Sequence, residues 1–289
     1  MMKRTGKILC CLLMLLIFLP TTVFADMGPK PSVQVQLKRL PEQVYYVTLL
    51  SKEESTGPYS WAPELTAPAA WMVENDIELG TRAWQAFQQY QDPDGFYFVQ
   101  YFRRCTPEEP FLWNYRPPRT FKVAVWLPQS DTLLTSEVCE SYAFHSYFSA
   151  TASPESTQLT LRKSYPFFWE LISLAARTLG TILLEVLIAF LFRLKGPVLK
   201  AILWVNVATQ LLLNVGLNLA NYHSGPLAFF LSTFWLELVV LVVEAVIYKK
   251  QFRKHGETRR GLWLLYAAVA NGFSFAAGLV LAWCIPGIF

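Results

Sequence analysis

Histidine is scarce in this chain: 289 residues hold three, His145, His223 and His255. None lies in a long apolar run, and neither they nor the cysteines carry the spacing of a metal-ligand set. No nucleophile motif and no glycine-rich phosphate loop is present. An intramembrane protease needs paired aspartates, a Ser–His pair or a histidine cluster, and the apolar runs supply none of these. The expectation is a protein without metal, cofactor or catalytic residue, leaning away from enzyme. Glutamate-based chemistry within the bilayer is the weakest of three functional readings.

What is abundant is apolar side chain, 53% of residues, and it is unevenly placed. Residues 26–166 are mixed and polar, with 12 Lys+Arg against 16 Asp+Glu, a net −4. Residues 167–289 are mostly Leu, Val, Ile, Phe and Ala. The overall +4 therefore comes from the N-terminus and the apolar half. A basic total often signals nucleic acid. Here the positive charges flank apolar runs, where a membrane topology needs them, so no nucleic acid is expected.

The N-terminus carries Lys3, Arg4 and Lys7, then the apolar run Ile8 to Leu19, then Pro20 and Val23-Phe24-Ala25. That is the charged, apolar and small-residue order of a secretory signal, expected as residues 1–25. Its apolar run is shorter than the roughly 20 residues a crossing helix needs.

Four apolar stretches follow, at about 167–192, 198–219, 227–248 and 262–285, each long enough to cross a bilayer as a helix. Segment 193–200 holds Arg193, Lys195 and Lys200, and segment 249–261 holds Lys249, Lys250, Arg253, Lys254, Arg259 and Arg260. The link Ala220 to Pro226 has no Lys or Arg. Because basic loops stay on the cytoplasmic side, both basic segments are expected inside and the link outside. The signal independently places residues 26–166 outside, and the C-terminus follows. The expected location is the cell membrane, multi-pass, with the bilayer as first partner.

Residues 26–166 read as a mostly-β (α+β) extracytoplasmic domain. Alternation in 32–38, 43–50, 96–102, 121–127, 141–148 and 157–162 predicts strands. Turn signals stand at Ser55-Thr56-Gly57-Pro58 and Asp92-Pro93-Asp94-Gly95. A helix is expected near 81–91, capped by Thr81, with Ala83, Trp84, Phe87 and Tyr90 on one face. Trp61, Trp71, Trp84, Trp113 and Trp126 suit a core, because large rings fit pleated surfaces; exposed, they could stack on glycans. Cys105 and Cys139 are the only cysteines outside, and an oxidising compartment permits a bridge between them. His145 reads as structural, and Glu74, Asp76, Glu78, Glu108 and Glu109 as solvated loop residues.

The informative chemistry lies in the apolar half. Its first span contains Arg177 and Glu185, the second Asn206, Gln210, Asn214 and Asn218 at four-residue steps, the third Glu237 and Glu244, and the fourth Asn271 and Ser274. At about 1.5 Å per residue Glu185, Asn206, Gln210, Glu237, Glu244 and Asn271 fall on the inner half of the bilayer, with Arg177 near its outer end. Residues 171–192 hold 13 Leu, Ile, Val or Phe, worth roughly −4 to −8 kcal/mol on the insertion scale. Arg177 plus Glu185 would cost about +5 to +7 kcal/mol if central and alone. Arg177 is expected to snorkel outward, and Glu185 to be protonated or paired with Asn206, Gln210 or Asn271. The candidate polar core is thus Glu185, Asn206, Gln210, Asn214, Glu237, Glu244 and Asn271. It suits hydrogen-bonded glue or assembly, and also a proton- or ion-linked transport site.

Several stretches resemble a group of exported bacterial four-pass membrane proteins. They are Asp26-Met27-Gly28-Pro29-Lys30-Pro31-Ser32, Ser55-Thr56-Gly57-Pro58, Asp94-Gly95-Phe96-Tyr97-Phe98, Pro117-Pro118-Arg119-Thr120-Phe121-Lys122, Tyr142-Ala143-Phe144-His145-Ser146-Tyr147, Glu237…Glu244 and Ala270-Asn271-Gly272-Phe273-Ser274-Phe275. The resemblance covers nearly the whole chain and implies an N-terminal extracytoplasmic β-rich domain, with no chemistry attached. The combined expectation is a multi-domain membrane protein, β-rich outside and a four-helix transmembrane bundle within. It binds or senses an extracytoplasmic ligand and works in assembly, with a membrane-protein partner or a second copy of itself.

Overall fold

The computed structural model describes residues 28–53, 65–153, 157–257 and 259–284. The expected signal segment, the Ser55–Pro58 turn, Trp61 and the last five residues lie outside these. Among the described residues, a β-rich half is followed by three helices long and apolar enough to cross a membrane.

The strands are β1 (Ser32–Lys38), β2 (Tyr45–Ser51), β3 (Tyr97–Phe98), β4 (Arg103–Cys105), β5 (Phe111–Trp113), β6 (Thr120–Leu127), β7 (Thr132–Ser136), β8 (Cys139–Glu140), β9 (His145–Ala152) and β10 (Gln158–Lys163). They form one sheet in the order β3-β2-β6-β7-β10-β9-β1-β5, with β4 on β2 and β8 on β6. Helices α1 (Ala70–Val73) and α2 (Ile77–Gln89) interrupt the early strands. Val33, Val35 and Leu37 of β1 turn inward at every second residue, as alternation requires. Strand β2 is buried along its whole length. It is central, and α2 covers the same region, bringing Trp84 and Phe87 against Phe98 and Phe102. Both faces of the middle strands are therefore dry, which erases the period-two signal.

Three expectations shift. The helix begins at Ile77, where Asp76 accepts from the Leu79 N–H at 2.9 Å, while Thr81 bonds back to the Ile77 carbonyl. The run 96–102 is a strand only at Tyr97–Phe98, because Gln100 takes a positive φ of 61°. The run 141–148 becomes a strand only from His145. The Ser146 hydroxyl binds the N–H groups of Tyr142 and Ala143 and folds those residues into a turn.

Cys105 and Cys139 are free thiols. Cys105 pairs with Tyr45 on β2, whereas Cys139 pairs with Phe121 on β6. Continuing the β2–β6 register sets Tyr45 and Phe121 about six residues apart along the strands, about 20 Å. A disulfide requires Cα atoms within about 7 Å, so this fold cannot bridge them.

An ion cluster, its Lys122–Asp92 pair buried and Asp94 exposed, joins the Asp92–Gly95 turn to β6. Lys122 Nζ lies 2.8 Å from Asp92 and 2.6 Å from Asp94, over the Phe96 ring. Burial pushes the Asp92 carboxyl upward, but the Lys122 ammonium and the N–H groups of Phe96 and Asp94 outweigh it and hold it below its ordinary value. Lys122 is pushed down by burial and raised more strongly by its two carboxylates, ending above its ordinary value. Burial also pushes the Cys105 thiol up to about 12.

The long helices are α3 (Phe167–Leu191), α4 (Pro197–Lys254) and α5 (Leu262–Cys284). The expected link 220–226 is made without leaving the helix for a loop. α4 runs through it with one non-helical residue, Gly225 (φ 82°, ψ −177°). There α4 doubles back, so that Asn206 meets Tyr248, Thr209 meets Glu244 and Gly216 faces Leu236. Each pair sits about equally far from the break, which is the register of two antiparallel arms.

Candidate functional site: polar layers and a cavity among the helices

The helices invert the pattern of a water-soluble bundle. Leu183, Leu191 and Leu212 are at least 70% exposed, while Glu185, Asn206 and Glu244 are fully buried and Gln210, Asn214, Asn271 and Ser274 nearly so. Charged and amide side chains inside with leucines outside is what hydrocarbon solvent selects.

Hydrogen bonds between helices sort these groups by height. Glu244 accepts from Thr209 Oγ1 at 2.6 Å and from Asn271 Nδ2 at 2.7 Å, tying both arms of α4 to α5. Ser274 Oγ lies 3.4 Å from Glu185 Oε1, and the Tyr266 hydroxyl donates to the Glu185 carbonyl at 3.1 Å, adding α3. The Tyr248 hydroxyl donates to Asn206 Oδ1 one turn further along. This is the lower layer, and Glu244 belongs in it together with Glu185. Asn271 thus reaches Glu244 rather than Glu185.

An upper layer lies about two turns away, roughly 10 Å at the helical rise. Arg177 Nη2 donates to Asn218 Oδ1 at 2.5 Å and its guanidinium lies over the Phe229 ring. Asn214 Nδ2 donates to Thr178 Oγ1 at 3.2 Å. Glu237, beside Leu236 opposite Gly216, shares this height. Of the groups expected on the inner half, Glu237 lies in this upper layer with Arg177, Asn214 and Asn218. Arg177 does not snorkel: it sits ten residues into α3, about 15 Å from the helix start, and finds its partners inside.

Around the upper layer is a cavity of about 520 Å³, lined by all three helices. Its walls are mostly apolar, including Leu213, Leu217, Phe229, Phe230, Phe234 and Phe275, and its polar groups include Arg177, Gln210, Asn214, Glu237 and Ser274. Arg177 Nε, Gln210 Nε2 and Glu237 Oε2, all on this cavity, are buried without a hydrogen-bond partner, as are Glu185 Oε2, Asn206 Nδ2 and Asn271 Oδ1 below. Unsatisfied buried polar atoms cost about 1–3 kcal/mol each, so this cluster is destabilising as it stands. Among the described residues no His, Cys, Asp and Glu group could hold a metal.

The carboxylates and amides of the layers stand out in the sequence by residue type, whereas Thr178, Thr209, Tyr248 and Tyr266 do not. Hydroxyls on apolar helices also bond to their own backbone, as Thr209 does to Val205, so spacing alone does not distinguish the bridging ones.

The sheet touches the helices at the α4 break. Pro226 has no N–H, which leaves the Tyr222 carbonyl, four residues back, without its helical donor. The Phe144 N–H donates to that oxygen at 2.8 Å. A Cβ on Gly225 would clash with the Phe144 ring, and Tyr142, Tyr165 and Tyr222 pack around the contact. His145, beside it, hydrogen-bonds Ser32 at 2.7 Å, and burial lowers its pKa, consistent with a structural role. No protein-family model, no curated protein and no solved structure matches the chain.

Proposed function

We propose that the chain is a binding or sensing subunit of a membrane complex: an exported sheet docked on four membrane crossings whose shared polar core holds them in assembly. α4 supplies two of the crossings, one per arm. The sheet and the Gly225 break lie outside, and the basic turns around Lys195 and Lys254 lie inside, in accord with the charge bias of the loops. A cleaved signal at 1–25 belongs to the same scheme. The observation that carries the reading is the Glu244 carboxylate, shared between Thr209 and Asn271, with Glu185 reaching Ser274 beside it. One layer of side chains ties every helical segment together, as polar groups do in bilayers. The Phe144–Tyr222 bond gives the sheet a route to the same helices.

A second reading, a proton- or ion-linked transport component, draws support from the partnerless carboxyl oxygens of Glu185 and Glu237. One experiment separates the two. Glu244→Gln and Glu185→Gln are expressed alongside Glu237→Gln, and membrane abundance and pH-dependent proton or cation flux in vesicles are both measured. Assembly predicts a several-fold fall in abundance for Glu244→Gln. Normal abundance in all three with lost flux transfers the proposal to transport. Abundance and flux both intact would remove the carboxylates from either role.

A further inference from the structure

Arg177 and Glu237 occupy the same height on different helical segments and line one cavity. The Arg177 Nε donor and the Glu237 Oε2 acceptor are both partnerless, so neither satisfies the other. Gln210, 1% exposed, adds a second partnerless donor on the cavity lining. Phe230, Phe234 and Phe275 supply apolar wall between them. The volume of about 520 Å³ falls within the roughly 300–1,000 Å³ of small-molecule sites, whose pattern is apolar walls with a few placed polar groups.

We infer that this cavity binds a small apolar zwitterion, an amino acid or dipeptide with aliphatic or aromatic side chains, its carboxylate on Arg177 and its ammonium on Glu237. A carboxylate accepts from the guanidinium edge, and an ammonium donates to Glu237 Oε2, so the partnerless atoms of Arg177 and Glu237 each gain a partner. A purely anionic amphiphile would leave Glu237 unpaired, and a purely cationic one would face Arg177 across a dry space. The site does not depend on the sheet-to-helix contact.

The test is calorimetric titration of the full chain in lipid nanodiscs with phenylalanine and with leucyl-phenylalanine, each beside its N-acetyl and C-amide derivatives. At least one parent compound is expected to bind, and either cap should weaken it tenfold or more. Which parent binds tells the amino-acid source from the peptide. Arg177→Gln and Glu237→Gln should each weaken binding similarly. Gly278→Leu covers the contingency that those variants misfold. Gly278 lines the cavity and a Cβ there meets no atom within 4 Å, so the backbone tolerates a side chain at this position, and a leucine on the lining should weaken binding tenfold or more. No binding of either parent, equal binding of capped forms, or undiminished binding to Gly278→Leu would overturn the assignment.

Discussion

Lys122 sits in the sheet with 6% of its side chain exposed, and its partner Asp92 with none. Removing one member of such a pair leaves an uncompensated buried charge, which costs about 3–5 kcal/mol. Lys122→Met should therefore lower the stability of the sheet by that amount, and Lys122→Met with Asp92→Asn should restore most of it, measured as chemical unfolding followed by tryptophan fluorescence. The pH dependence follows from both shifts. Asp92 is held below its ordinary 3.8, so its contribution is full above that value and disappears as pH falls through the lowered one. Lys122 is held above its ordinary 10.5, so its contribution is full below that value and disappears as pH rises through the raised one. The sheet should be most stable between these limits, and Lys122→Met should flatten both flanks. At this scale the sequence was readable for single residues in the bilayer, since a carboxylate in hydrocarbon stands out by type. It was unreadable for Lys122 and Asp92, whose pairing joins positions 30 apart across a turn, and for the two cysteines, whose separation depends on strand register.

Among the elements, α4 turns on two residues. Gly225 has φ 82° and ψ −177°, a region occupied almost only by glycine. Pro226 removes the N–H that would have carried the helix through. The same pair that breaks the helix frees the Tyr222 carbonyl for Phe144, so chain reversal and domain docking have one local cause. Gly225→Ala should cost about 1–3 kcal/mol from backbone strain, and more because the methyl meets the Phe144 ring. In thermal unfolding of the full chain in detergent, the wild type should melt as one unit, with near-UV and far-UV signals coincident, and Gly225→Ala should separate sheet from helices into two transitions. A single unshifted transition in Gly225→Ala would remove the break from the coupling. The sequence placed a change of direction near here through the lack of Lys and Arg, but the single-residue form of the turn depends on φ and ψ that composition does not reveal. Strands β1, β6 and β10 were legible within a residue or two because they alternate or, in β6, run apolar apart from Lys122. β5, β7 and β8 are two to five residues long and leave no periodicity to read.

For the whole molecule, the account rests on inversion: apolar surface outward, polar layers inward, and basic turns at one end only. An anhydrous surround is the condition under which exposed Leu183, Leu191 and Leu212 cost nothing, and it strengthens each hydrogen bond of the lower layer. The distribution of charge along the chain already contained this arrangement, whereas the split into two polar layers with a cavity around the upper one required the register of the helices. The most direct test is orientation. With the native cysteines replaced by serine, single cysteines are introduced by Thr160→Cys on exposed β10, by Lys195→Cys and by Lys254→Cys at the basic turns, and intact cells are treated with a membrane-impermeant maleimide. The account predicts labelling of Thr160→Cys in intact cells and of Lys195→Cys and Lys254→Cys only after permeabilisation; labelling of either basic-turn site from outside, or protection of Thr160→Cys, would contradict it.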